Sequence, residues 1–504
     1  MHWSLLVVVV FGSAGQSVGH AGHHHRQQYQ TLMVSFDGFR WDYLDLLRSA
    51  TDKHHKQNYF DLLILNGSWA PMGMEATFVT KTFPNHYTMA TGLYEQYHGI
   101  VGNSVYDPQT LSTVSLPSAD VSTAAHLYEG EPVWYTYWRQ KGRREIGCYM
   151  WVGCEIPVRN YTLQRSIPYS ANVTCANRID WTLRWLKGGV ALVLLYFNEP
   201  DHTGHRHGTS SGKIIGKLLQ LNDCLGSLLH QLREAELWPH RLNVIVVSDH
   251  GMVDFDKHLV IKTNTQLYQI WASDYSTFLI EPNSGKFNEA FRYLSNLSTR
   301  IKVYPRDKLP ERWHFARKDR IPQLVVVADL GVRLHLDEIV KDDFVAGHGF
   351  DNKFDQMRPI FIANGPAIRS NFSIKKDNFR NVDVYLLLCK LLQIKAAPNN
   401  GSEEYVQALL HSAKQHHVRF FSLIVVIVCC VLAASLGLLF WFSYAMSKNS
   451  KARPLYMIEM EAQTETDGTG FTYRPMNQPH QVDQETEQLS EDEEANIDSG
   501  LSKL

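Results

Sequence analysis

The stretch Leu242-Asn243-Val244-Ile245-Val246-Val247-Ser248-Asp249-His250-Gly251 sets the class of fold. Its apolar run is nearly continuous, as expected of a parallel strand covered on both faces rather than one with a wet side. It ends in an acid, a histidine and a glycine. Two other runs share the pattern. Thr31-Leu32-Met33-Val34-Ser35-Phe36 leads to Asp37-Gly38-Phe39-Arg40, and Ala191–Phe197 leads to Glu199-Pro200-Asp201-His202-Thr203-Gly204-His205. Ile146–Trp151 reads as a further strand, and Leu324–Ala328 and Pro359–Ala363 as two short ones. Between the strands, Ile214, Leu218, Leu221, Leu225, Leu228 and Leu232 line one face of a helix over Lys213–Ala235, and Val382–Leu392 reads as another helix. Strands alternating with helices imply an α/β domain, a mostly parallel sheet flanked by helices.

Three buried strands that each end in an acid ask for an explanation. Open α/β sheets build sites at the carboxyl ends of their strands. Clustered carboxylates repel one another unless a cation neutralises them. His205 and His250 follow two of the acids, and Gly347-His348-Gly349 presents a third histidine from a loop. Aspartate and histidine ligands without a thiolate suit Zn²⁺, and the number of candidates suits two ions rather than one.

Thr80-Lys81-Thr82-Phe83-Pro84-Asn85-His86-Tyr87 supplies a nucleophile. It runs into a short helix through Leu93, with Pro84 in a first turn that tolerates proline. Thr82 then stands at a helix N-terminus, where backbone N–H groups and the dipole favour an anion. A hydroxyl so placed can attack phosphorus once its proton is taken. Two metals roughly 4 Å apart clamp the attacking and leaving oxygens of such a displacement. Asn103, in the turn after His98-Gly99, can donate its amide to a phosphoryl oxygen. Phe83 and Tyr169 are either core aromatics or two faces of a slot for a planar ring.

The 504 residues carry a formal net charge of −2, so composition points to no nucleic-acid polymer. Residues 1–22 read as a signal peptide around the apolar Leu5–Phe11, followed by a histidine tract at His20, His23, His24 and His25. Residues 27–400 read as the catalytic domain, 401–419 as a polar stalk, and 420–442 as a transmembrane helix. Lys448, Lys451 and Arg453 follow the span and place its C-terminal side in the cytosol, which makes a single-pass type I protein at the cell membrane. Residues 447–504, with the acidic Glu491-Asp492-Glu493-Glu494, read as a disordered cytosolic tail. N-glycan acceptor triplets begin at Asn66, Asn160, Asn172, Asn296, Asn371 and Asn400. Cys148, Cys154, Cys175, Cys224 and Cys389 form an odd external set, so at least one has no partner within the chain.

The motifs Val34–Arg40, Thr80–His86, Glu199–His205, Ser248–Gly251 and His348–Asn352 together resemble the ectonucleotide pyrophosphatase/phosphodiesterases, a family of the alkaline-phosphatase superfamily. The likeness runs from about Gln30 to Asn400 and is strongest to the short, C-terminally anchored members, the fourth and fifth. It implies that Asp201, His205 and His348 hold one zinc, and that Asp37, Thr82, Asp249 and His250 hold the other. It further implies Thr82 as nucleophile, Asn103 as phosphate-side donor and Tyr169 as the ring that stacks the base. Sulfatases of the same superfamily carry a C/S-x-P-x-R motif, which Thr82-Phe83-Pro84-Asn85 lacks.

The expected activity is hydrolysis of phosphodiester or pyrophosphate bonds in extracellular nucleotides, dinucleoside polyphosphates or NAD-like, with release of a nucleoside monophosphate. One alternative is a choline-phosphodiester or lysophospholipid hydrolase on the same scaffold, which needs a cage for a quaternary ammonium. The other is a non-catalytic adhesion or receptor-like ectodomain, for which an exposed threonine nucleophile has no use.

Overall fold

The computed structural model describes residues 29–117, 124–143, 145–411 and 413–449. The expected signal peptide, the histidine tract, and the tail beyond Asn449 lie outside them. Eight strands form the principal sheet: β1 (Gln30–Phe36), β2 (Gly67–Trp69), β3 (Ile146–Tyr149), β4 (Arg165–Ile167), β5 (Leu192–Phe197), β6 (Leu242–Val247), β7 (Phe361–Asn364) and β8 (Phe372–Ser373). Their spatial order is β8-β2-β7-β6-β1-β5-β3-β4. Only β7 runs against the rest, pairing antiparallel with β6 and β2.

Burial on both faces explains the continuous apolar runs. Leu32, Val34 and Phe36 of β1 enter one core with Val193, Leu195, Val244 and Val246. Met33 faces the other core with Leu192, Leu194, Ile245 and Val247. The flanking helices used below are α1 (Thr82–Thr91), α2 (Cys175–Lys187), α3 (Asp201–His207), α4 (Gly212–Glu234), α5 (Asn381–Leu391) and α6 (Glu403–Leu409). The apolar stripe expected over Lys213–Ala235 is the buried face of α4, from Ile214 to Leu232.

Leu324–Ala328 is a strand, but it does not join this sheet. It pairs antiparallel with Thr277–Pro282 and Ile301–Pro305 in a four-stranded sheet that has its own core around Phe278, Ile280, Leu294 and Val326.

The stretch read as a stalk from residue 401 is in its first part a piece of the domain. The side chain of Ser402 caps α6 by accepting from the Tyr405 N–H, and Val406 and Leu409 are buried in the core with residues of α5. Val406 and Leu409, with Tyr405 and Leu410 beside them, seat this short helix of about two turns, which polar composition concealed. By itself, a helix over Ala413–Asn449 contains the span Val425–Lys448, the one segment among the described residues that is long and apolar enough to cross a bilayer.

The chain pairs Cys148 with Cys154 and Cys175 with Cys224, and leaves Cys389 buried and free. Two disulfides fit an oxidising compartment.

One buried acid has a cost that pH exposes. Glu95 is fully buried; Thr77 donates its hydroxyl to one carboxylate oxygen, and the other oxygen has no partner. Burial pushes its pKa well above the ordinary 4.5. The folded state therefore keeps a proton that the unfolded chain releases, and stability present below pH 4.5 is lost as pH rises toward the raised value. Glu95→Gln should melt increasingly above the native protein as pH is raised from 4 to about 8. Parallel melting profiles would show that Glu95 is ionised in the fold.

Candidate active site

The register of the sheet brings the acids together. Phe36 pairs with Phe197 and Ser35 with Val247, so Asp37 and Asp249 follow directly on neighbouring strands. Asp201 opens α3 after β5, and its N–H donates to the Asp37 carbonyl at 2.9 Å. Gly38 makes that approach possible. Its φ is +65°, and a Cβ there would lie 2.9 Å from the Asp201 Cα. Gly349 does the same beside His348, with φ +92° and a Cβ position 2.4 Å from the Ser276 hydroxyl.

Two clusters result, one of Asp37, Asp249 and His250 and one of Asp201, His205 and His348. In each, the possible ligand atoms lie within 4.8 Å of one another. The clusters adjoin, since the His250 and His348 rings stack at 3.5 Å.

The histidines are all set the same way. His205 Nδ1 faces the Ala346 carbonyl at 2.8 Å, His250 Nδ1 the Gly251 carbonyl at 2.9 Å, and His348 Nδ1 the Thr80 carbonyl at 2.9 Å. A carbonyl only accepts, so each Nδ1 carries a proton and each Nε2 is turned toward the carboxylates. Burial opposes charge on His205 and His250, but Asp201 beside the first and Asp249 beside the second outweigh it and raise their pKa. His250 Nε2 is 3.0 Å from Asp249 and 3.3 Å from Asp37, and His205 Nε2 is 3.3 Å from Asp201.

Each aspartate also holds one oxygen in reserve. Asp37 takes the Tyr196 hydroxyl on Oδ2, and Asp249 takes the Gly38 N–H on Oδ1 at 3.1 Å. Asp37 Oδ1, Asp249 Oδ2 and Asp201 Oδ1 are buried without any hydrogen-bond partner. Orphaned carboxylate oxygens beside imidazole Nε2 atoms are the donor set of a cation site, and these residues fit one divalent ion per cluster.

Electrostatics lead to the same reading. Burial and the Asp249 and Asp201 carboxylates push the Asp37 pKa well above its ordinary range. Burial also opposes ionisation of Asp249, but the His250 and His86 rings outweigh it and hold its pKa below the usual value. Burial lowers His348 strongly, and His250 and His205 lower it further. Asp37 and Asp249 this close need added positive charge to be ionised together.

Thr82 is the first residue of α1, and its hydroxyl lies 3.3 Å from His250 Nε2. The expected helix start is therefore where Thr82 stands. Asn85 ties down the turn before it, donating to the Val79 and Lys81 carbonyls at 3.0 and 2.9 Å and accepting from the Thr77 N–H at 2.9 Å. Asn103 Oδ1 accepts from the Phe83 N–H at 3.0 Å, which leaves its amide hydrogens for another partner. Thr82, Phe83 and Tyr169 line one open pocket of about 460 Å³, mouth included, with Met150, Trp151 and Glu155 among its other walls. Tyr169 is 47% exposed, so it is not a core aromatic.

Sequence reasoning missed several neighbours. His86 is buried between Ser35 and the Thr82 carbonyl, at 2.9 Å from each. Its position one helical turn after Thr82 was the available signal. Tyr275 reaches His348 Nε2 with its hydroxyl at 2.8 Å, from a hairpin of the second sheet that no motif announced.

A parallel sheet with two adjoining cation clusters and a hydroxyl at a helix N-terminus defines a hydrolase of the phosphoryl-transfer class. Residues 31–351 match the family described as type I phosphodiesterase / nucleotide pyrophosphatase, and the chain belongs to that family. It is 35% identical over 420 residues to ectonucleotide pyrophosphatase/phosphodiesterase family member 5 of Homo sapiens, spanning 81% of this chain and 84% of that one. It is 32% identical over 388 residues to the bis(5'-adenosyl)-triphosphatase ENPP4 of Homo sapiens, spanning 75% and 81%. Among solved structures it is similar to murine ectonucleotide pyrophosphatase/phosphodiesterase 5, an inactive threonine-to-alanine variant in complex with AMP. The identity is 34% and the TM-score 0.69, with 76% of this chain and all of that one covered.

If each cluster holds its own ion, the two are separable. Asp249→Ala should lose the ion of the strand-end cluster and keep that of Asp201, His205 and His348, and Asp201→Ala the reverse. Elemental analysis of the purified variants measures this; loss of all metal from either one would mean a single shared site.

Proposed function

We propose that this chain is a zinc-dependent phosphodiesterase and pyrophosphatase of extracellular nucleotides that releases a nucleoside monophosphate. The observation that carries this is the shared pocket: Thr82 lines the same cavity as Phe83 and Tyr169. Dinucleoside polyphosphates and NAD-like dinucleotides are the substrates we favour, supported by the likeness to the bis(5'-adenosyl)-triphosphatase and to the AMP-bound relative.

Two bound zinc ions, held by Asp37, Thr82, Asp249 and His250 and by Asp201, His205 and His348, would polarise the phosphoryl oxygens and lower the pKa of hydroxyl and water. Phe83 and Tyr169 flank the base, which fixes the phosphoryl group above α1. The Thr82 Oγ attacks phosphorus; its bond to phosphorus forms as the bond to the leaving oxygen breaks. Asn103, its carbonyl oxygen held by the Phe83 N–H, turns its amide toward the phosphoryl oxygens. Water then opens the phosphothreonine and frees the monophosphate.

We place the domain outside the cell, anchored through the span Val425–Lys448 as a type I protein, with residues 1–22 as the removed leader and the tail in the cytosol. In support, five of the six acceptor asparagines are exposed, and Asn400 is half-buried.

One observation favours the choline-phosphodiester alternative. The pocket carries a carboxylate, Glu155, among Trp151, Tyr169 and Tyr196, which is more of a cage than the sequence suggested. The same carboxylate can accept from the amino edge of a base, so substrates decide. The 4-nitrophenyl ester of thymidine monophosphate should be hydrolysed in preference to 4-nitrophenyl phosphocholine, and chelation should abolish turnover. The reverse preference would move the protein to the choline branch. Thr82→Ala should lower turnover by roughly 1,000-fold or more while retaining most of the metal. Turnover that survives this change would remove Thr82 from the nucleophile's role.

A further inference from the structure

The pocket wall opposite Phe83 comes from a segment with little regular structure. Met150, Trp151 and Val152 all line the pocket, and Glu155 follows them closely. Cys148 and Cys154 bracket the first three, six positions apart and bonded to each other. Both are buried, at 0% and 1% exposure, in the same core as Trp151.

Packing buries Met150, Trp151 and Val152, but few backbone hydrogen bonds fix the course of the loop. The Met150 N–H donates to the Ile167 carbonyl at 2.8 Å, and the Cys154 N–H to the Trp151 carbonyl at 3.3 Å. Met150 has φ +63°, the left-handed region that costs a non-glycine residue energy and persists only where surroundings impose it. Gly153, with φ +83°, completes the reversal. β3 ends at Tyr149, so the chain must turn out of the sheet and return within a few residues.

We propose that the Cys148–Cys154 disulfide is a positioning element for substrate: it closes the loop so that Met150, Trp151 and Val152 form the base-side wall and Glu155 faces the bound ring. This rests on the nucleotide reading above. The bond acts on binding of the nucleoside half, and neither Thr82 nor any residue of the metal clusters lies within the loop it closes. Cys175–Cys224 provides the internal contrast. It ties α2 to α4, and neither cysteine lines the pocket.

The test compares native protein with C148A/C154A, and with C148V/C154A as a second version that refills the buried volume should the first fold poorly. C175A/C224A serves as control. Two measurements are made: equilibrium binding of AMP, and kinetics on the thymidine ester and on methyl 4-nitrophenyl phosphate, which has no base to seat. Opening the loop should weaken AMP binding and raise KM for the thymidine ester by about tenfold, with kcat and all turnover of the methyl ester within about twofold. The control should melt at lower temperature with the preference between esters unchanged. Equal losses on both esters, or unchanged AMP affinity in the loop variants, would overturn the proposal, as would native protein that binds no AMP. Native protein that binds AMP but turns over neither ester would sink the catalytic reading alone, and the AMP affinities would still decide the role of the disulfide.

Discussion

Three carboxylates meeting at the ends of β5, β1 and β6 are the constraint on which the rest depends. Two such charges about 4 Å apart repel by about 4 kcal/mol even at an effective dielectric of about 20. The burial of Asp37 and Asp249 removes the water that would soften this. The fold answers with three imidazoles whose Nδ1 protons are spent on backbone carbonyls, so that their Nε2 atoms and the unpartnered carboxylate oxygens face a common space. Every neighbouring feature follows from keeping that space open: the glycines at 38 and 349, the tight turn before α1, and the Asn85 side chain that ties the turn to the helix.

The parts legible from sequence were those governed by one-dimensional rules. A strand covered on both faces must be apolar throughout, so β1, β5 and β6 stood out, and their terminal acids with them. A helix that begins with a hydroxyl and carries proline in its first turn announces itself locally, which is why the start of α1 at Thr82 was legible. The buried face of α4 followed from helical spacing alone.

What stayed hidden depends on contacts across the chain. One pairing of the second sheet joins strands more than forty residues apart, Thr277–Pro282 with Leu324–Ala328, and nothing local in Leu324–Ala328 says which sheet it joins. His86 and Tyr275 matter through the atoms they meet, and those meetings are set by helix direction and hairpin placement. The wall from Met150 to Glu155 takes its course from a covalent closure that cysteine spacing left open among several pairings. The seating of Glu403–Leu409 on the core was not legible because its apolar residues Val406 and Leu409 stand among polar ones.

The outline of the principal sheet has a consequence for life at high local concentration. Its outermost strands are its shortest or nearly so: Arg165–Ile167 at one border and Phe372–Ser373 at the other. A border of two or three residues offers another copy too few free amides to template pairing. Acceptor triplets at Asn160, Asn172 and Asn371 stand beside these same borders. The sheet is thus self-terminating, and crowding many copies together gives it no ladder on which to grow.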